Sequence, residues 1–210
     1  MQQFTTLQAI AAPLLRGNID TDIIIPISRI VGNSTRGTLG TWCFSALRYL
    51  PDGSENSEFV LNREPYRRAQ ILVTGANFGC GSSREAAVWA LQEMGIRCVI
   101  GSSYGDIFYN NCFQSGVLPV LLPKDVVEDL ARELETSQGA GRITVDLAGQ
   151  FITAPSGKRH SFEVEAKRRE ALLEGLDEIG QTLRMEPAIA AYQTGDRLDR
   201  PWVYLAGASQ

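Results

Sequence analysis

The fold of this chain is decided by residues 70–94. There Gln70-Ile71-Leu72-Val73-Thr74 runs into Gly75-Ala76-Asn77-Phe78-Gly79-Cys80-Gly81-Ser82-Ser83-Arg84. The first five residues form a short apolar run typical of a buried strand, and the glycine-rich stretch predicts a tight loop. Apolar residues then recur at helical spacing until Gly95, namely Ala87, Ala90, Leu91 and Met94. These residues therefore predict a strand, a loop and a helix in succession.

The segments that follow repeat this order. Arg97–Ile100 predicts a strand, Tyr104–Gln114 a helix and Leu118–Leu122 a third strand, which makes two successive βαβ units with a parallel sheet. Beyond them, a helical stripe covers Val127–Leu134 and a hairpin is predicted over Arg142–Ala154. The fold class predicted is α/β.

The two ends of the chain extend this unit. Phe4–Leu15 predicts an opening strand, and after a polar turn the β-branched run Ile23–Ile25 is expected to be extended and to stop at Pro26. Trp42–Leu50 predicts a short helix. Two helical stretches, 166–176 and 176–192, are expected to close the chain.

Composition narrows the function classes. The chain has 210 residues, 44% of them hydrophobic, which is enough to bury one globular core. A net charge of -4 offers no basic field for nucleic acid or an anionic membrane, so a small molecule or another protein is the expected partner. With no leader-like segment at the amino terminus, the chain is expected to be cytoplasmic.

Cysteine and histidine limit the chemistry further. The four cysteines lie far apart without a C-x-x-C pair and are expected to be free thiols: Cys43, Cys80, Cys98 and Cys112. The single histidine, His160, lies in the polar stretch Ser156-Gly157-Lys158-Arg159-His160 and is interpreted as a solvated loop residue. Histidine-based catalysis by this chain alone is therefore disfavoured.

The loop from Gly75 to Arg84 is a candidate anion site, because a strand that ends in a glycine-rich loop and opens a helix turns amides and a positive dipole end toward a ligand. It lacks G-K-[ST] and the dinucleotide spacing, so a carboxylate is favoured over a pyrophosphate. Arg84 offers a planar fork to a carboxylate. Ser82 is a candidate base if amides and cations stabilise its alkoxide. The alternative is that Ser82 or Ser83 only caps the helix.

Two other positions carry weaker signals. In Asp20-Thr21-Asp22 two carboxylates stand two residues apart, but the run lacks the remaining ligands of a calcium loop, and a turn that satisfies its own backbone is the alternative. Arg36, in a glycine-rich loop, is by itself better explained as a solvated charge than as a binding residue. Neither pattern decides a function alone.

Taken in order, three motifs resemble the small subunit of bacterial 3-isopropylmalate dehydratase, a member of the aconitase superfamily. They are Asn18-Ile19-Asp20-Thr21-Asp22-Ile23-Ile24-Ile25-Pro26, Asn77-Phe78-Gly79-Cys80-Gly81-Ser82-Ser83-Arg84-Glu85 and Asp106-Ile107-Phe108-Tyr109-Asn110-Asn111. The similarity continues through residues 59–62, 118–120 and 175–183 and so covers nearly the whole chain. It implies the swivelling β/β/α domain of the aconitase type over 1–210, with a helical C-terminal extension at about 166–193.

The resemblance also implies a function shared between two chains. A large subunit would hold the [4Fe-4S] cluster, in agreement with the absence of cluster-ligand spacing among the cysteines here. The pair would be a hydro-lyase of leucine biosynthesis, interconverting 2-isopropylmalate and 3-isopropylmalate through isopropylmaleate. By match to the motif, Ser82 is the base, Ser83 and Arg84 bind a substrate carboxylate, Arg36 binds another, and Asp22 pairs with a histidine of the large subunit.

The sequence departs from the family pattern at three positions. Ala76 stands where an acidic residue is common, Ala86 where a histidine is common, and Val88 where a proline is common. Losing the acid and the histidine together avoids leaving one buried polar group unpaired. Three alternatives stay open: a paralogous hydro-lyase for a citramalate or dimethylmalate type of substrate, a non-catalytic binding module with the swivel fold, and a stand-alone serine hydrolase.

Overall fold

A single mixed sheet organises the chain. The computed structural model describes residues 1–31, 36–137 and 141–204. Its seven strands follow the order β4-β3-β2-β1-β5-β6-β7 across the sheet. They are β1 (Thr6–Leu14), β2 (Ile71–Thr74), β3 (Cys98–Gly101), β4 (Leu118–Leu121), β5 (Arg142–Asp146), β6 (Phe151–Thr153) and β7 (Arg159–Ser161).

Strand β1 joins a parallel half of the sheet to an antiparallel half. Its carboxyl-terminal part, Ala11–Leu14, pairs in parallel with β2, and β2, β3 and β4 continue in parallel. Its amino-terminal part, Thr6–Ile10, pairs antiparallel with β5, followed by β6 and β7. The prediction of an α/β fold with parallel βαβ units is confirmed.

Helices connect the strands and close the chain. They are α1 (Thr21–Ile24), α2 (Ser45–Arg48), α3 (Glu85–Glu93), α4 (Asp106–Ser115), α5 (Lys124–Thr136), α6 (Ala166–Glu174), α7 (Glu178–Leu183) and α8 (Glu186–Asp199). Helices α3 and α4 are the crossovers of the parallel half. None of the helices among the described residues is both long and apolar enough to cross a bilayer.

The core lies on both faces of the sheet because alternate residues of each strand point to opposite sides. Leu72 and Val99 belong to the cluster under α1 and α3, whereas Ile71, Val73 and Ile100 belong to the cluster under α5. Both faces of the parallel strands are therefore covered, and their ligand-accessible parts are the loops at the strand ends.

The prediction that Ile23–Ile25 is extended is wrong for Ile23 and Ile24, which end helix α1, and holds only for Ile25. The Asp20 side chain caps this helix by accepting from the amide of Ile23 at 2.7 Å. Ile24 and Ile25 are fully buried. A side-chain cap together with burial of the isoleucines outweighs the β preference of branched residues, which depends on context.

Two other local predictions need correction. His160 does not lie in a loop; it lies in β7, where it pairs with Ile152. The predicted helix over Trp42–Leu50 is divided, because Phe44 takes a left-handed conformation at φ 55° between a 3-10 helix at Leu39–Trp42 and α2. A non-glycine residue at positive φ interrupts a right-handed helix.

Two compact units divide the chain, Met1–Gly175 and Leu176–Gln210. The first contains the sheet and α1 to α6, and α6 ends where Gly175 adopts φ 70°. The second contains α7, capped by Asp177, which accepts from the amide of Gly180 at 2.7 Å, and α8. Whether 1–210 forms one domain stays a prediction.

Candidate active site

Three loops are joined at the carboxyl ends of β1, β2 and β3, where open α/β sheets bind ligands. The glycine-rich loop after β2 lies between the loop after β1 and the loop after β3, and its backbone continues the parallel pairing of the strands. The hydrogen bonds that join the loops include Gly79 N to Ile19 O (2.7 Å), Thr21 N to Cys80 O (2.9 Å) and Gly105 N to Phe78 O (2.9 Å). The site is thus built on backbone contacts to two neighbouring loops.

Glycine determines the shape of the middle loop. Gly79 has φ 71°, and a Cβ there would lie 2.2 Å from the ring of Phe108, so a side chain is excluded both by conformation and by space. Asn77, at φ 57°, donates to the side-chain oxygen of Asn18 at 2.8 Å. These contacts fix the backbone conformation of the loop before Ser82.

Two exposed serines, Ser82 and Ser83, follow in this loop just before α3. Helix α3 begins after Arg84, which occupies the N-cap position, and no side chain caps the helix there. The alternative that Ser82 or Ser83 only caps α3 is therefore not supported by the geometry. Ser82 and Ser83 directly precede the N-cap residue and so come just before the positive end of the helix in the chain.

Thr21 fixes Ser82 from the neighbouring loop. Its hydroxyl donates to the carbonyl oxygen of Ser82 at 3.0 Å, and the residue is only 2% exposed. The motif around Asp20 and Asp22 includes Thr21, but the sequence assigns it no role. A threonine between two aspartates gives no separate signal, because only the fold brings it to Ser82, 61 positions away.

Asp22 and Arg84 form an ion pair across the same two loops. The Arg84 side chain is 14% exposed, whereas the Asp22 side chain is 54% exposed, so the aspartate still faces solvent. Hydrogen bonding and the charge of the Arg84 guanidinium lower the pKa of Asp22 from its ordinary value of 3.8, against a smaller opposing effect of desolvation. Asp22 is therefore ionised at neutral pH.

Arg36 contacts helix α3 through Trp89 and not through Arg84. Its guanidinium carbon lies 4.8 Å from the centre of the Trp89 ring, a cation–π contact with the middle of α3. Trp89 is five positions after Arg84, which corresponds to an axial distance of about 7.5 Å along a helix. The structure thus pairs Asp22 with Arg84, holds Ser82 through Thr21, and places Arg36 about a turn and a half along α3.

Cysteine ligation of a metal finds no support in this chain. Cys43, Cys98 and Cys112 are fully buried, and burial raises the pKa of each thiol. In the part of the chain that the structure describes, no group of three or more His, Cys, Asp or Glu side chains comes together as a ligand set. The described residues do not fit an iron-sulfur cluster.

The histidine needed for a serine hydrolase lies elsewhere. His160 is in β7, an edge strand, and β2, which leads to Ser82, is separated from it by three strands of the sheet. A triad requires hydrogen-bond contact between nucleophile and base. The described residues therefore offer Ser82 no histidine partner within this chain.

The two alanines that depart from the family pattern differ in environment. Ala86 is 6% exposed and packs in the core cluster under α3, so no polar group is buried there. Ala76 is exposed, and its carbonyl accepts from the amide of Asn18 at 2.9 Å. The loop therefore has its backbone contacts at Ala76. It lacks the negative charge that the acidic residue common at this position in the family would place on its surface.

Comparison with known families agrees with this geometry. The α/β sheet and the loop site define a domain of the aconitase C-terminal class, and the family model described as "Aconitase C-terminal domain" matches residues 1–125. The model described as "LeuD_N" matches 128–166, and the model for the C-terminal domain of the 3-isopropylmalate dehydratase small subunit matches 178–206.

Similar proteins narrow the class to one family. The 3-isopropylmalate dehydratase small subunit of Gluconacetobacter diazotrophicus is 52% identical over 202 residues, covering 96% of this chain and 97% of that protein. That of Xanthobacter autotrophicus is 49% identical over 203 residues, covering 97% of this chain and all (100%) of that protein. The chain belongs to the family of 3-isopropylmalate dehydratase small subunits, which are parts of hydro-lyases of the aconitase superfamily.

A solved structure supports the fold at greater distance. The crystal structure of 3-isopropylmalate dehydratase from Methanocaldococcus jannaschii matches with a TM-score of 0.64, over 90% of this chain and 99% of that chain. Its identity is 23%, so the likeness concerns the fold. Membership of a small-subunit family implies a large subunit as partner.

Proposed function

We propose that this chain is the small subunit of a heteromeric hydro-lyase that interconverts 2-isopropylmalate and 3-isopropylmalate through isopropylmaleate in leucine biosynthesis. The observation that carries the proposal is the exposed Ser82, held by Thr21 and standing beside the Asp22–Arg84 pair at the start of α3. Each of the four residues comes from one of the two motifs that lie side by side in the fold.

Ser82 is the base in this proposal. A serine takes a proton from carbon only if its alkoxide is stabilised, and the amides and dipole at the start of α3 supply that stabilisation. The Arg84 guanidinium, next but one in the chain, adds positive charge. The proton passes from the carbon beside a substrate carboxylate to Ser82 Oγ, the electron pair forms the double bond of isopropylmaleate, and the C–O bond breaks as the hydroxyl takes up a proton and leaves as water.

Ser83 and Arg84 bind one substrate carboxylate, and Arg36 binds the other. Arg84 uses its contact with Asp22 to fix the plane of its guanidinium, and the remaining nitrogens of a guanidinium fork suit a carboxylate. Asp22 stays ionised and, through its exposed side, pairs with a histidine of the large subunit that protonates the leaving hydroxyl.

A [4Fe-4S] cluster held by the large subunit would supply the Lewis acid that assists departure of the hydroxyl. The substrate lies between the two chains, and neither chain has a complete site. We further propose a cytoplasmic setting, in which the four free cysteines stay reduced.

Complementation tests this division of labour. The chain purified alone, and treated anaerobically with iron and sulfide, should be folded, colourless and inactive, because it lacks the ligands. Addition of the large subunit should restore hydratase activity in proportion to the limiting chain. A cluster spectrum or hydratase activity from this chain alone would overturn the shared site.

The exposed Ala76 favours a second candidate, a paralogous hydro-lyase for a citramalate or dimethylmalate type of substrate. An acidic residue is common at this position of the site loop, and its loss changes the charge that a substrate meets. The assembled enzyme should be assayed with all three substrates. The highest kcat/KM with isopropylmalate supports the main proposal, and preference for a smaller dicarboxylate by tenfold or more supports the second candidate.

A further inference from the structure

Two backbone amides in the loop that carries Arg36 donate to one carboxylate on α3. Glu93, the last residue of α3, accepts from the amide of Gly37 at 2.5 Å through Oε1 and from the amide of Gly40 at 3.0 Å through Oε2. Trp89, four residues earlier, lies under Arg36. Residues four apart share a helix face, so one face of α3 contacts the loop at Arg36 and at the two amides that follow.

The backbone of the loop approaches α3 closely at the same point. A Cβ on Gly40 would lie 2.8 Å from the carbonyl carbon of Glu93, so the contact requires glycine. The 3-10 helix at Leu39–Trp42 begins there. Glu93 provides the acceptor for the amide of Gly40 at the start of that helix, a position where an anion is favourable.

The position of Glu93 is unfavourable for α3 itself. A carboxylate at the carboxyl end of a helix faces the negative end of the helix dipole, and the last turn of α3 contains no basic residue. The helix alone would be more stable with a neutral or basic residue at position 93. Glu93 therefore stabilises the structure through its hydrogen bonds to the loop and not through the helix.

We infer that Glu93 is a positioning residue for Arg36 and sets the distance between the two carboxylate-binding arginines along α3. Helix α3 begins directly after Arg84, and its last residue holds the loop of Arg36. The chain length of a dicarboxylate limits the separation of its acid groups, so a rigid helix between the two arginines selects for substrates that can match it. This inference rests on the proposed function, in which Arg36 binds the second carboxylate.

Steady-state kinetics of the assembled enzyme test the inference. Glu93→Ala should raise KM about tenfold while kcat changes by about twofold or less, because Arg36 is displaced and Ser82 is not. Glu93→Gln keeps an oxygen acceptor for one of the two amides and should raise KM less. Since Gln preserves the volume, this variant keeps the test valid if the alanine variant does not fold.

Glu133 provides a matched control. It lies on α5 and likewise accepts two hydrogen bonds from a loop, from the amide and the hydroxyl of Ser156, each at 2.9 Å. Glu133→Ala removes the same kind of contact from a loop that carries no proposed site residue. Its KM should equal that of the wild type. A KM raised as much as in Glu93→Ala would mean that loop attachment in general, and not the position of Arg36, is measured.

A double-mutant cycle separates this inference from the proposed function. Arg36→Ala should raise KM, and adding Glu93→Ala to it should raise KM no further, because Glu93 acts through Arg36. Additive effects, or a wild-type KM for Glu93→Ala beside a raised KM for Arg36→Ala, overturn the inference alone. A wild-type KM for Arg36→Ala removes Arg36 from the substrate site and overturns the inference together with that part of the proposed function.

Discussion

At the scale of single residues, the site depends on contacts between positions that are distant in the sequence. Asp22 meets Arg84, and Thr21 meets Ser82, because the loop after β1 runs parallel to the loop after β2. Each contact joins a residue with a proposed chemical role to one that orients it. Substitution of the partner therefore tests how much the orientation of the reacting residue matters while that residue itself is retained.

Asp22→Asn removes the charge that pairs with Arg84 at nearly constant volume, and we expect kcat to fall about tenfold or more with the fold intact. Because Arg84 lowers the pKa of Asp22 below its ordinary value of 3.8, the ion pair stabilises the folded chain above that value and is lost as pH falls through the lowered pKa.

The stability difference between wild type and Asp22→Asn should therefore be constant from about pH 5 to about pH 8 and should disappear on further acidification. Urea unfolding across this range measures it. A difference that changes around neutral pH would contradict the lowered pKa, and a wild-type kcat would return Asp22 to a purely local role in its turn.

Thr21→Val deletes the hydroxyl that donates to the Ser82 carbonyl while it keeps the shape of the side chain. Loss of one such hydrogen bond amounts to about 1 kcal/mol, so kcat should fall several-fold as Ser82 becomes less well oriented. Thr21→Ser retains the donor and should recover most of the rate. If the valine and serine variants have equal kcat, the hydroxyl does not orient Ser82.

At the scale of elements, the glycine-rich loop depends on backbone conformation and on close packing together. Gly79 and Gly53 both have positive φ, 71° and 84°, but a Cβ at Gly79 meets the Phe108 ring, whereas a Cβ at Gly53 has no neighbour within 4 Å. The two glycines therefore form a matched pair in which one has strain alone and the other has strain with a clash.

Gly53→Ala should lower the free energy of unfolding by about 1 kcal/mol, the cost of a left-handed alanine. Gly79→Ala should lower it by roughly 2 kcal/mol more, since the ring of Phe108 must move. Urea denaturation of the two variants measures the difference. Equal losses in the free energy of unfolding would mean that the loop rearranges to avoid the clash and that Phe108 does not fix its conformation.

The sequence predicts the regular elements well where the pattern is strong and local. The strand at Ile71–Thr74 and the helices that follow β2 and β3 carry clear periodicity and glycine boundaries, and the structure has them. The prediction of extended chain at Ile23 is wrong because the cap, Asp20, decides the conformation and three isoleucines do not indicate that cap. The prediction of a loop at His160 is wrong because β7 is only three residues long and gives too short a pattern.

At the scale of the whole molecule, the sheet order brings together motifs that are about sixty residues apart in the chain. The pairing of β1 with β2 places Thr21 and Asp22 beside Ser82 and Arg84, and no local pattern predicts that adjacency. The family resemblance predicts which residues have roles, whereas the contributions of Thr21 and Glu93 depend on contacts that only the folded chain provides.

We propose that this chain supplies the base and the carboxylate-binding residues, whereas the cluster and the histidine that protonates the hydroxyl belong to a large subunit. The measurement that tests it most directly is exchange of the substrate's α-proton with solvent deuterium, followed by NMR, in the assembled enzyme carrying Ser82→Ala. Association with the large subunit is confirmed beforehand. We expect exchange and turnover to fall together by about 10²–10⁴-fold, with little change in KM. Exchange at the wild-type rate would contradict the claim, because another group would then remove the proton.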